Sequence, residues 1–470
     1  MSVEIIRSIK FGTDGVRGVI DADFNELIVS SVAYAALRYF KRKRDVGRVI
    51  VSYDTRRKSE TYARVIVEVC KRFGIETSIV SRPTPTPVVS WTVREYKYDL
   101  AFQVTASHNP PEYNGVKIID HNGCSISDED AEEIMKILQK ESEEISRFVT
   151  TLQPSTAPDV VLDPRESYIE YVISSVPAPQ RKLRILFDPL YGTTIGYTDE
   201  ILRRLGYEVK CIHYEFDPNF GGLEPCPEGV NLENLAKLVV ESGLDLGISH
   251  DGDGDRIGVV TGRGRILTGN EVLLLFVYEY ARSGRIRTVA RTVATTSLVD
   301  KICREFNIKV IETPVGIKYI AELLVKGEAD IGGEESGGVA FRWHVPEKDG
   351  IYTAAHICDI ESREGIDNLL DEIYRRYGMP RFRKHKIKVE GNPKEVFSKY
   401  RDDIVRALAE SGMCSSIVTI DGVKCVLQDG SWVLVRPSGT EPVIRIYGEE
   451  YANSNVFESV VKIIENVIRR

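Results

Sequence analysis

Short apolar runs alternate with amphipathic stretches along most of the chain, the rhythm of strand–helix–strand units in a parallel or mixed sheet. Strands are predicted at 48–53, 77–80, 99–104 and 115–119, with helices at 59–72 and 128–144, the latter capped by Ser127. Breakers at 151–158 (TLQPSTAP) read as a connection between domains. A second unit follows, with strands at 183–187, 208–212 and 244–249 and helices at 194–205 and 232–241. A third has helices at 271–282, 297–306 and 316–325 and strands at 286–290, 309–312 and 329–332. The last part differs: strands at 384–388, 416–420, 431–436 and 443–447 alternate with helices near 393–410 and 455–468, a smaller α+β domain.

The 470 residues suffice for three or four domains at roughly 100–200 residues each. Segments 1–150, 151–260, 261–375 and 376–470 are the expected division. With 42% hydrophobic and 28% charged residues, the composition is that of a globular chain and excludes collagenous or largely disordered classes. A net charge of −8 argues against bulk nucleic-acid binding. The one dense basic run, Lys41-Arg42-Lys43-Arg44, reads as a solvated helix end. The longest apolar stretch, 272–278, is too short to span a membrane, and the first residues carry no signal core, so a cytoplasmic protein is expected. Eight cysteines with no CxxC spacing read as reduced, mostly buried thiols.

Candidate chemistry gathers in loops after strands, where open α/β sheets bind ligands. In Asp251-Gly252-Asp253-Gly254-Asp255-Arg256, three carboxylates alternate with residues that let the loop curl. Such a cluster needs a neutralising cation, and an all-oxygen set favours a hard divalent ion such as Mg²⁺. An EF-hand fails on spacing, because Arg256 stands at loop position six and Gly262 at twelve. Thr105-Ala106-Ser107-His108-Asn109-Pro110 presents a serine suited to act as a nucleophile or as a phosphoryl carrier, while His108 reads equally as an acid–base group and as a loop brace. Gly333-Glu334-Glu335-Ser336-Gly337-Gly338 offers hydrogen-bond groups for a hydroxyl-rich ligand. Arg436-Pro437-Ser438-Gly439-Thr440 combines a guanidinium, hydroxyls and amides as in a phosphate nest. No Gly-Lys dipeptide, no H-E-x-x-H and no dinucleotide fingerprint occurs.

These four loops, in this order and at domain-scale spacing, resemble the α-D-phosphohexomutase family of phosphoglucomutases and phosphomannomutases. The opening segment Gly12-Thr13-Asp14-Gly15-Val16-Arg17-Gly18 is similar as well. The resemblance implies three related α/β domains with mixed sheets plus a smaller C-terminal α+β domain around a central cleft. It implies a phosphorylated Ser107, one Mg²⁺ held by Asp251, Asp253, Asp255 and the phosphoserine, and Lys117 as general base. It places Arg17 and Arg256 near the moving phosphoryl group, Glu334 and Ser336 on sugar hydroxyls, and Arg436, Ser438, Gly439 and Thr440 on the nonreacting phosphate. Gly316 and Lys318 form a second sugar loop by the same resemblance. Gly338 stands where several bifunctional members carry a histidine, and Lys348 in Glu347-Lys348-Asp349-Gly350 resembles a lysine of glucose-type members.

The implied activity is interconversion of hexose 1- and 6-phosphates, glucose and mannose, through a hexose 1,6-bisphosphate. Runner-up readings are a phosphoglucosamine mutase, a phosphopentomutase and a metal-dependent sugar phosphatase. A silent sugar-phosphate sensor is disfavoured, since binding alone needs no phosphoryl carrier. Expected partners are small sugar phosphates, with no nucleic acid or membrane, in a monomer or small homo-oligomer.

Overall fold

The computed structural model describes residues 2–12, 15–152, 157–438, 442–451 and 456–468. It divides into two compact units: residues 1–268 with 337–366, and residues 269–336 with 367–470. Of the predicted connection at 151–158, residues 153–156 lie outside the described residues.

In the first unit a six-stranded sheet runs in the order Val16–Val19, Tyr113–Asp120, Leu100–Val104, Arg48–Tyr53, Glu76–Val80, Val160–Leu162. The first three strands pair antiparallel and the rest are parallel, so the sheet is mixed. Its central strands are buried along nearly their whole length, in keeping with their mainly apolar sequences, in which Ser52 and Gln103 are buried polar exceptions. Asn25 caps the helix Glu26–Lys43 by accepting from the amides of Leu27 and Ile28. The basic run closes that helix, where cations favour the C-terminal dipole, and Arg42 reaches Glu141 at 2.8 Å. The second sheet runs Ile257–Thr261, Leu246–His250, Arg184–Asp188, Glu208–Cys211. Its first two strands form a hairpin whose turn is the triple-aspartate loop.

In the second unit, Lys309–Thr313, Thr288–Thr292 and Ile331–Gly333 form parallel pairs. The C-terminal strands Arg381–Lys388, Val443–Glu450, Trp432–Pro437, Val423–Val426 and Ser416–Val418 make an antiparallel sheet in that order. One face carries the helices Pro393–Glu410 and Val456–Ile468 over a core that includes Phe397, Ile404, Ile444, Ile446 and Val460. The other presents Trp432, Leu434 and Tyr447 to Val293 and Ala294. Beside that apolar contact, Glu312 accepts from Arg291 at 2.6 Å and from the buried Lys424 at 2.8 Å.

Three expectations are corrected. The helix expected over 128–144 is two, Asp128–Lys140 and Ser142–Val149. The break falls at Glu141, whose carboxylate takes Arg38 and Arg42, and the buried Ser142 hydroxyl accepts from Arg7. Reading all the cysteines as reduced fails for one pair, because Cys414 and Cys425 are disulfide-bonded. Ser415 pairs with Val426 across the sheet (2.7 Å), bringing the two cysteine Cα atoms to 5.2 Å. The other six are free. Finally, Val423–Val426, Gly350–Arg363 and Ile366–Tyr377 are regular elements that the periodicity did not announce. Nearly all of Gly350–Arg363 is buried, so it lacks a polar stripe to reveal a helix.

Candidate active site

Strand Leu100–Val104 delivers Thr105, Ala106 and Ser107 into a tight loop. Ser107 sits at φ +53°, in the left-handed region, and is held there by its surroundings. Its amide donates to Thr105 Oγ1 (2.9 Å), and its carbonyl accepts from Arg56 Nη2 (2.7 Å). The Arg56 guanidinium spends all five N–H groups on this region. Nε donates to Asp54 (3.1 Å), Nη1 to the carbonyls of Pro110 (2.7 Å) and Tyr113 (3.0 Å), and Nη2 also to that of Asn109 (2.6 Å). Phe220 closes the other side, its ring 4.9 Å from the guanidinium carbon. Burial favours the neutral forms of both Arg56 and Asp54, lowering one pKa and raising the other, with their mutual attraction working against it.

The hairpin turn at 251–255 lies directly against this loop. Ser107 Oγ donates to Asp251 Oδ2 at 2.8 Å. A Cβ on Gly252 would stand 2.9 Å from the Ser107 carbonyl, so only glycine permits the approach. Asp251, Asp253 and Asp255 are buried, and each offers one oxygen within 4.8 Å of the others. Lys117 Nζ lies 3.0 Å from both Asp253 Oδ2 and Asp255 Oδ2, and Lys348 Nζ lies 3.5 Å from Asp255 Oδ2. Desolvation, then the charges of Asp255 and Asp253, push the Asp251 pKa well up. For Asp255, Lys117, Lys348 and Arg256 together outweigh desolvation and hold it well down. Asp253 Oδ1 and Asp255 Oδ1 are buried without a hydrogen-bond partner. Two orphaned carboxylate oxygens in an all-oxygen cluster fit a hard divalent cation such as Mg²⁺.

The remaining residues predicted for this region also converge. Arg17 Nη1 donates to Asn109 Oδ1 at 2.7 Å. Arg256 is largely buried, 3.6 Å from Glu228, with its backbone amide on Asp251 Oδ1 (3.0 Å). His108 Nδ1 lies 3.4 Å from Ser107 Oγ, and burial followed by Arg256 and Arg17 depresses its pKa strongly, so the ring is neutral. The Lys348 stem fills the space above Gly338, where a Cβ would come within 2.1 Å of Lys348 Cδ. Glu347 fixes that loop by accepting from the Ser125 hydroxyl at 3.0 Å and from the Lys348 amide at 3.0 Å.

Glu334, Ser336, Gly316, Lys318, Arg436 and Ser438 belong to the second unit. Glu334 and Ser438 are buried, and Glu334 follows the strand Ile331–Gly333 directly. Gly316, at φ +136°, opens the helix Ile317–Val325, and Lys318 Nζ lies 5.4 Å from the Tyr319 ring centroid. Arg436 pairs with Asp421 at 3.0 Å. Gly439 and Thr440, like Thr13 and Asp14, lie outside the described residues. Sequence reasoning missed Arg56, Thr86 and Asp421. Thr86 donates to Asp253 Oδ2 at 2.6 Å, and no local signal marks it. The Asp54-Thr55-Arg56 triplet just after an apolar strand was the available clue to Arg56.

Comparison with known proteins follows the same order along the chain. Family models described as phosphoglucomutase/phosphomannomutase alpha/beta/alpha domains I, II and III match residues 8–145, 166–264 and 268–377, and the C-terminal domain model matches 386–466. A phosphoglucomutase/phosphomannomutase of Thermococcus kodakarensis is 32% identical over 98% of this chain and 99% of its own length. A phosphoglucosamine/phosphogalactosamine mutase of Sulfurisphaera tokodaii is 30% identical over 97% and 99%. The solved structure of a phosphoglucomutase/phosphomannomutase family protein from Burkholderia thailandensis shares the fold at a TM-score of 0.82, with 22% identity, covering 98% of this chain and 97% of that one. With all four domain models matched in sequence order and relatives aligned almost end to end, the chain belongs to the α-D-phosphohexomutase family of intramolecular phosphotransferases.

Proposed function

We propose that the protein interconverts hexose 1-phosphate and hexose 6-phosphate, glucose and mannose, with Ser107 as the phosphoryl carrier and a hexose 1,6-bisphosphate as intermediate and activator. The observation that carries this reading is the 2.8 Å contact between Ser107 Oγ and Asp251, beside carboxylate oxygens with no partner. Asp251, Asp253, Asp255 and the phosphorylated serine would hold one Mg²⁺. Bound there, the ion supplies neutralisation of the charge on the transferred group.

In the forward step the bond from Ser107 Oγ to phosphorus breaks as a sugar hydroxyl oxygen forms its own bond to phosphorus. The hydroxyl proton passes to Lys117 Nζ, which accepts it as the neutral amine, its positive charge against Asp253 and Asp255 being replaced there by that of the bound cation. Arg17 and Arg256 bring positive charge to the equatorial oxygens, and the Arg56 brace keeps the serine loop from drifting. His108, neutral, braces the loop. The bisphosphate then turns end for end, and the other phosphate returns to Ser107.

In the same proposal Glu334, Ser336, Gly316, Lys318 and Lys348 address the sugar, and Arg436, Ser438, Gly439 and Thr440 hold the nonreacting phosphate. Lys348 takes the place of the histidine that other members carry at position 338, which accords with its stem lying over Gly338. The domains are 1–150, 151–260, 261–375 and 376–470, and the setting is cytoplasmic. Among the described residues no helix is long and apolar enough to cross a membrane.

The relative from S. tokodaii is named for hexosamine phosphates, which favours those sugars as the second reading. Side-by-side rates on glucose, mannose and glucosamine 1-phosphates, each primed with its bisphosphate, decide between them. The first two are expected to be the faster substrates. A glucosamine rate far above both overturns the sugar assignment, and release of inorganic phosphate in step with turnover overturns the mutase assignment.

A further inference from the structure

Asp421 carries no role in the phosphate loop by sequence, yet it holds that loop's arginine. Its Oδ2 lies 3.0 Å from Arg436 Nη2 and accepts from the backbone amide of Val315 at 3.0 Å. One carboxylate oxygen therefore ties the arginine of strand Trp432–Pro437 to the loop that opens at Gly316. The carboxylate cannot wander. Gly422 turns at φ +84°, and a Cβ there would lie 2.2 Å from the Val435 carbonyl and 2.9 Å from Arg436 Cβ, so the 421–422 turn is pressed onto the arginine's own strand. Arg436 stands directly opposite Arg445 on the neighbouring strand, and Arg445 opposite Lys386 on the next. A long side chain in such a cationic row has little reason to adopt one rotamer unless an anion fixes it. With Nη2 held, the guanidinium plane is set, and its other edge is left for a phosphate fork.

We propose that Asp421 is a positioning residue that pre-orients Arg436 for the nonreacting phosphate and registers the Val315–Gly316 loop to the same point. This rests on the assignment of Arg436 to that phosphate.

The test compares Asp421→Asn, Arg436→Ala and the double variant on glucose 1-phosphate primed with glucose 1,6-bisphosphate. Asparagine keeps the size and an acceptor for the Val315 amide but loses the charge that grips the guanidinium. Asp421→Asn is expected to raise KM about tenfold with kcat within about threefold, an effect the size of one charge-assisted contact. In the Arg436→Ala background the same change is expected to add less than about twofold, because the two residues act as one unit. An unchanged or lowered KM in Asp421→Asn, with KM raised in Arg436→Ala, overturns the positioning role. Equal KM increases with and without Arg436 also overturn it, since they mark a general structural effect. If Arg436→Ala itself leaves KM unchanged, the phosphate-site assignment falls instead, and this inference with it. Asp421→Ser, smaller and uncharged, replaces the asparagine variant under the same criteria if that variant does not fold.

Discussion

Replacing Arg56 with lysine keeps a positive charge while removing the fork. The arginine makes five hydrogen bonds, to Asp54 and to the carbonyls of Ser107, Asn109, Pro110 and Tyr113, and its side chain is fully buried. An ammonium has three donors, so Arg56→Lys leaves at least two of these acceptors unmet. At about 1–3 kcal/mol for each buried group left unsatisfied, the loss is about 4 kcal/mol. Arg56 lies in the unit of residues 1–268 with 337–366, and at about 2.1 cal/mol/K of unfolding entropy per residue this loss corresponds to a fall of about 6 °C in its unfolding transition. Activity should fall further than stability requires, because the backbone freed is that of Ser107, held at φ +53°. A displacement of about 1 Å at a reacting atom costs about a hundredfold in rate. The assays are thermal unfolding by circular dichroism and the rate of Ser107 phosphorylation by glucose 1,6-bisphosphate. A lysine variant that unfolds within about 1 °C of the parent and phosphorylates within twofold of its rate refutes the brace.

Gly338→Ala forces a Cβ to within 2.1 Å of Lys348 Cδ, so kcat should drop about tenfold or more with little change in the far-UV spectrum; an unchanged kcat removes Lys348 from the site. His213 has its pKa raised, first by its hydrogen bond to Asp188 and then by that residue's charge, with burial opposing. The stability this pair adds is therefore full below the ordinary histidine value of about 6.5 and fades as pH rises through the raised one. His213→Gln should lower the unfolding midpoint at pH 6 and leave it unaltered at pH 9, and equal losses at both contradict the pairing. The Cys414–Cys425 bond closes an 11-residue separation, so a reducing agent should destabilise the C-terminal sheet by about 2–3 kcal/mol in denaturant titrations, and Cys414→Ser should abolish that sensitivity. Ser107→Ala should remove mutase turnover while leaving the unfolding transition in place, and turnover near the parent rate would rule the carrier out.

What the sequence disclosed was whatever depends on local spacing. Asp251, Asp253 and Asp255 alternate with glycines after an apolar strand, and the structure brings them to within 4.8 Å of each other. Ser107 follows the strand Leu100–Val104 in the same manner. The residues that went unseen act across long separations. Arg56 recognises backbone carbonyls some fifty residues away, a target with no side-chain signature. Asp421 meets an amide 106 positions back, and Thr86 reaches an aspartate 167 positions on. The disulfide depended on the pairing of Ser416–Val418 with Val423–Val426, and that second strand is too short, with Lys424 and Cys425 inside it, to stand out as apolar. The helix Gly350–Arg363 was hidden for the opposite reason, being buried on nearly every side. The division into compact units is likewise invisible in a linear reading, because 337–366 joins the first unit from beyond the start of the second.

The central claim is that Ser107 Oγ, beside Asp251 at 2.8 Å, carries the phosphoryl group. Its most direct test is peptide mass spectrometry of the protein after incubation with glucose 1,6-bisphosphate and Mg²⁺, before and after a chase with excess glucose 6-phosphate. One phosphoryl group on the peptide containing Ser107, lost on the chase as the bisphosphate reappears, is the predicted result. An unmodified Ser107 in a sample that is turning over substrate, or a phosphoryl group on another residue that the chase discharges, would contradict it.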